Sequence, residues 1–293
     1  MQRLATAFSF AILVTLTSTL GAQWPSYPTP DVPRKDGKPV LDAPTPRTAD
    51  GKVDFSGIWM RAGGGGGGRG RAAGAPPAPT TTPDGIPLST FGEVAGRGYP
   101  LPMTPWAAEL KKKRMANNQK DNPDVWCLPI GLMQYHNHPQ PRQIVQTKNL
   151  MLITYESNYG LRYIYMDGRP APNNDPTPWW FGYSRGWYEG NDTLVVETTN
   201  FLGDERAGWL DVNGSPYSDA LKMTERFRRP NFGTLEIDIT ITDPTYYTKP
   251  WTATPKLRLV PDTELFEFIC NENEKSRQHM GPHITGPQSI PKQ

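Results

Sequence analysis

The four histidines of this chain fall into two tight pairs, His136 and His138 in QYHNHPQPRQIVQT and His279 and His283 in RQHMGPH. Imidazole titrates near neutral pH and binds metals, so either pair could move a proton or help to hold zinc, copper or iron. A His-x-His pair supplies two ligands and needs a third. His279 supplies it, or a carboxylate such as Glu272 or Glu274, if the segments after Cys127 and Cys270 are drawn together. The spacing allows this, since His136 lies nine residues beyond the first cysteine and His279 nine beyond the second. His136, His138 and His279 are therefore the metal candidates, and a divalent metal is the cofactor they would take. Metal-free acid–base chemistry is one alternative, and loop histidines bonded to backbone carbonyls the other. His283 sits in a Gly/Pro-rich tail and is expected to be left out. No His-Glu-x-x-His helix is present.

Charged residues that interrupt apolar faces are the second set of candidates. From Gln143 onward apolar residues recur with period two, giving candidate strands at 143–147, 150–156, 161–167, 183–188, 193–200, 221–229, 234–242, 256–260 and 264–270. In LEIDITIT, Leu235, Ile237, Ile239 and Ile241 face one way and the polar residues the other, the pattern of a half-buried antiparallel strand. Glu225 alternates in phase with Met223 and Phe227, Glu197 with Val195 and Thr199, Glu156 with Leu152 and Thr154, and Arg162 with Ile164 and Met166. If those faces point inward, the charges must pair, shift their pKa or line a wet cavity. Glu225, Glu197, Glu156 and Arg162 are thus catalytic or ligand-binding candidates, with structural Arg–Glu pairing as the alternative. In PTPWWFGYSRGWYEG, Trp179, Trp180, Tyr183 and Trp187 offer flat surfaces for a sugar or aromatic ligand, or a plug for one end of a barrel.

These residues need a scaffold, and the pattern predicts an all-β antiparallel meander barrel with one short helix. The helix is expected over 105–118, with Thr104 as N-cap and Pro105 in its first turn. Residues 1–22, with Arg3, an apolar run from Leu4 and small residues ending at Ala22, read as a secretory signal peptide. Residues 23–55 read as an extended Pro-rich arm, 62–85 as a disordered Gly/Pro-rich insert, 98–280 as the barrel domain and 281–293 as a flexible tail. The six consecutive glycines lead into Arg and Pro and lack the spacing of a phosphate loop. Without the signal segment 30 Lys and Arg face 29 Asp and Glu, a balance that argues against nucleic acid or an anionic membrane surface as partner. No later stretch is long and apolar enough for stable membrane insertion. An oxidising periplasmic or secreted location lets Cys127 and Cys270 pair, the alternative being two buried thiols.

CLPIGL, YIYMDGRPAP, WWFGYSRGWYEGNDTLVVETTNF and ELFEFICNENEKSRQH resemble phrases of a large group of uncharacterised exported bacterial proteins, over about residues 98 to 280. That resemblance implies no activity and assigns no catalytic residue. FSGIW, with its Gly-x-Trp, is also similar to the opening strand of lipocalin-like barrels, which implies a lipocalin-like fold. The resulting expectation is an exported small-molecule-binding barrel. Its alternatives are a periplasmic enzyme working by acid–base or metal-assisted lysis, hydration or hydrolysis of a glycosidic or phenolic compound, and a cell-envelope structural protein.

Overall fold

The computed structural model describes residues 27–62, 81–88, 100–172, 178–203, 208–272 and 275. The expected signal peptide, most of the Gly-rich insert, and His279 and His283 lie outside these residues. The arm contributes a small hairpin, β1 (Arg34–Lys35) with β2 (Lys38–Pro39), turned by Asp36-Gly37 with both residues at positive φ.

Nine strands close into one barrel. They are β3 (Gly57–Arg61), β4 (Arg142–Gln146), β5 (Leu150–Tyr155), β6 (Leu161–Tyr165), β7 (Tyr183–Glu189), β8 (Thr193–Thr199), β9 (Lys222–Asn231), β10 (Thr234–Thr242) and β12 (Lys256–Leu259), with β12 pairing back to β3. A tenth strand, β11 (Trp251–Ala253), adds to β10 beyond the end of β12. Inward residues alternate as expected: Leu235, Ile237, Ile239 and Ile241 are all buried, as are Met223 and Phe227 opposite them. Phe55 and Trp59, also fully buried, carry the end of the arm into the same core.

The barrel is mixed, which corrects the expectation of an antiparallel meander. β6 and β7 run parallel, with Ile164 opposite Ser184. Side-chain alternation is identical in parallel and antiparallel pairs, and only the long connection over 166–182 signals the difference, because parallel neighbours need a crossover. The segment 264–270 is not a strand, and Phe266, Phe268 and Ile269 are exposed there. There are two helices among the described residues where one was expected. α1 (Pro105–Ala116) begins at Thr104, whose hydroxyl caps Ala107 N–H. α2 (Leu132–Asn137) was not anticipated.

The second helix exists because of what bounds it. Pro139 pushes His138 into the extended region and ends the helix. At its start Gly131 lies so close to the Trp209 carbonyl that a Cβ would meet that oxygen at 2.0 Å. Every residue of α2 is buried. The Cys127–Cys270 disulfide, with Cα atoms 5.5 Å apart, ties the turn preceding α2 to the segment beyond β12.

Candidate functional site

The charged centre of the barrel is built on Arg162, which projects inward from β6 in phase with Ile164. Its guanidinium lies across the inner faces of β7 and β8 and reaches Glu225 on β9. The two positions it crosses carry small hydroxyl residues, which leave room and offer partners. Arg162 Nε donates to Ser184 Oγ at 3.1 Å and Nη2 to Thr198 Oγ1 at 2.9 Å, and the two hydroxyls lie 2.9 Å from each other. Nη1 donates to Glu225 Oε1 at 3.0 Å, and Nη2 donates to Oε2, so the pair is bidentate. Both side chains are almost wholly buried.

His136 completes the centre from α2, with Nε2 2.8 Å from Glu225 Oε1. Burial pushes the Glu225 carboxyl up, but Arg162 and His136 together outweigh it and hold it down at about 2. Burial lowers the His136 pKa; Glu225 opposes this, and Arg142 and Arg162 add to it. The ring is therefore neutral at neutral pH, and the ionised state of Glu225 rests chiefly on Arg162. An ionised carboxylate only accepts hydrogen bonds, so Nε2 carries the ring's proton and Nδ1 keeps a lone pair. That Nδ1 is buried and has no hydrogen-bond partner among the described residues.

Other buried polar atoms near α2 share this condition. Gln134 Oε1, both amide atoms of Asn137, and Nε and Nη1 of Arg142 are without partners among the described residues. Leaving such a group unsatisfied costs about 1–3 kcal/mol, more where it is charged. Arg142 opens β4, faces inward in phase with Ile144 and is 1% exposed. Tyr155, its cross-strand neighbour, turns its phenol toward Arg162 without a well-formed hydrogen bond. Burial raises the pKa of that phenol. Gly160 lets the rings of Tyr135 and Tyr155 close to 4.5 Å between centroids, since a Cβ there would touch both.

Of the sequence candidates, Glu225, Arg162 and His136 come together. Glu197 faces outward, where it pairs with Arg185 at 2.8 Å and with Lys222. Glu156 lies just beyond β5 and accepts from Phe266 N–H at 3.0 Å. Both were placed inward because β5 and β8 carry apolar residues on both faces, Leu150 and Leu152 on one side of β5 and Met151 and Ile153 on the other. Tyr183 and Trp187 alternate with inward Ser184 and Gly186 and so face out, with Trp187 44% exposed. Tyr183 stacks on Tyr165 at 5.2 Å and contacts Trp179 at 5.4 Å, while Trp180 is half-buried in the adjoining turn. From that aromatic stretch Phe181 is the residue whose ring meets Tyr135, edge-on at 5.3 Å.

His138 caps the end of α2, half-buried, and burial lowers its pKa. Among the described residues no three His, Cys, Asp or Glu side chains are placed to hold a metal, and the proposed third ligand, His279, lies outside them. An open cleft of about 690 Å³ lies elsewhere, between the arm and the barrel, lined by Val32, Ile58, Arg229 and Phe232 among others. Its arginine is already committed to the carbonyls of Asp54, Ser56 and Phe232.

Arg142, Tyr155, Ser184 and Thr198 were missed. Alternation marks each of them, because Arg142 is in phase with Ile144 and Thr198 with Leu194 and Val196, but a single polar residue at a strand end or among small residues stands out little.

Fold and site together define a closed nine-stranded mixed β-barrel with a buried charged centre. No protein-family model matches the chain, and no curated protein matches it.

Proposed function

We propose that this chain is an exported small-molecule-binding protein, a closed barrel whose ligand engages the centre formed by His136, Glu225, Arg162 and Arg142. The observation that carries the reading is the pairing of a fully committed anchor with uncommitted neighbours. Arg162 and Glu225 satisfy each other, whereas His136 Nδ1, Arg142 Nε and Nη1 and the Asn137 amide have nothing to bond among the described residues. A purely structural polar cluster gains by satisfying all its members. The partner is a small molecule rather than nucleic acid or membrane, in keeping with the near-balanced charge. Export is supported by the composition of residues 1–22, and amino-terminal sequencing of the mature protein checks it.

A thermal-shift and calorimetric screen of the mature protein against a library of neutral and charged small molecules tests binding. The expected hits bind the wild type and lose affinity in His136→Gln and Arg142→Met. A library without hits, or hits indifferent to both substitutions, would refute the reading.

A second reading, acid–base catalysis, is favoured by the His136–Glu225 pair. A neutral imidazole oriented through Nε2 by an ionised carboxylate presents Nδ1 as a general base, with Arg142 placed to steady developing negative charge. Conversion of a screening hit, followed by NMR, tests it. Turnover abolished in His136→Gln with binding retained supports catalysis, and a ligand recovered unchanged from the wild type contradicts it.

A further inference from the structure

We infer that the ligand is a small aromatic carboxylate, whose carboxylate is received by the buried guanidinium of Arg142 beside the rings of Tyr155, Tyr135 and Phe181. The inference rests on the reading of the barrel centre as a ligand site and names the class of ligand it takes.

Arg142 differs from the other buried arginines in having almost nothing to hold. Arg162 has Glu225 and two hydroxyls. Arg114 donates to the carbonyls of Gly208 and Gly214 and lies over the Trp209 ring. Arg229 donates to three carbonyls and lies over Trp59. Among the described residues Arg142 makes one hydrogen bond, from Nη2 to the His138 carbonyl at 3.1 Å, and its Cζ lies 5.8 Å from the centroid of the Tyr155 ring. Among the described residues no carboxylate pairs with it, although it is 1% exposed.

Charge selects among ligands. The centre holds two guanidiniums, one carboxylate and a neutral imidazole, so it carries one net positive charge. A monoanion neutralises it, a neutral ligand leaves a buried cation uncompensated, and a dianionic phosphate overshoots. With Nε and Nη1 free among the described residues and one Nη2 hydrogen left over, one edge of the planar fork can take both oxygens of a carboxylate. The neighbouring surface is aromatic, with Tyr135 and Tyr155 at 4.5 Å and Tyr135 and Phe181 at 5.3 Å, and it suits a flat apolar body.

The test uses the mature protein with benzoate, 4-hydroxybenzoate and cinnamate, the amide of each, and inorganic phosphate, in wild type and Arg142→Met. At least one acid is expected to bind about tenfold or more tightly than its amide, with the preference lost in Arg142→Met. A second measurement needs no ligand. Arg142→Met is expected to raise the melting temperature of the free protein, because it replaces an uncompensated buried charge with an apolar chain of similar length. Amides that bind as well as the acids, an acid preference that survives in Arg142→Met, or phosphate bound in preference to the acids would overturn the inference and leave the ligand-site reading standing. Binding of no probe, together with a lower melting temperature for Arg142→Met, would overturn both.

Discussion

Arg162 on β6 and Glu225 on β9 have two strands between them, yet their side chains meet inside the barrel, with Nη1 and Oε1 3.0 Å apart. The contact closes over Ser184 and Thr198, so it fixes the inner surface of four consecutive strands at once.

Removing one partner of this pair leaves the other charge buried. Glu225→Gln is expected to destabilise the protein by about 3–5 kcal/mol, and Arg162→Leu combined with Glu225→Leu by clearly less than that. Urea unfolding of the two variants measures the difference. Equal losses would show that the pair contributes packing and not charge compensation.

Stability should fall in acid in two stages. The His136 pKa is lowered in the folded state, so the unfolded chain takes up that proton more readily. Its contribution is present above the unfolded value near 6.5 and is lost as pH falls below it. Glu225 is held at about 2 from an ordinary 4.5, so its contribution is present above about 4.5 and disappears toward 2. Unfolding free energies measured from pH 8 to pH 3 should show both slopes, and His136→Gln should remove much of the upper one. A stability that rises from pH 7 to pH 5 would contradict the neutral, buried imidazole.

The disulfide links residues 143 positions apart and holds the turn leading into α2. Denatured protein should show no thiol from Cys127 or Cys270, and reduction should lower the melting temperature, with up to about 5 kcal/mol at stake in the chain-entropy description. Two titratable thiols would disprove the bond.

Gly131→Ala should destabilise by at least about 1–3 kcal/mol, since its Cβ would press on the Trp209 carbonyl at a position with ordinary negative φ. Gly160→Ala, where the crowding atoms belong to the Tyr135 and Tyr155 rings, should be milder because side chains can turn aside. Calorimetric melting of both variants orders them, and the reverse order would contradict the packing of α2.

How far the residues alone reveal this arrangement differs by element. Period-two alternation places β9 and β10 within a residue or two and puts Glu225 on the inner face, because the opposite face there is uniformly polar. The same rule fails to orient β5, where both faces are apolar, and so Glu156 was placed on the wrong side. α2 is too short for a helical period to emerge, and its helicity depends on a glycine that fits only against Trp209, a contact made far along the chain. His136 was recognisable as a reactive residue type, but its partner was not, since Glu225 lies 89 positions away.

The most direct measurement is a high-resolution crystal structure of the protein as purified from its own host. The prediction is a small molecule other than water in contact with His136 Nδ1 and the Arg142 guanidinium. If those atoms instead meet only protein groups or water, and soaking with the aromatic acids changes nothing there, the barrel centre is not a ligand site.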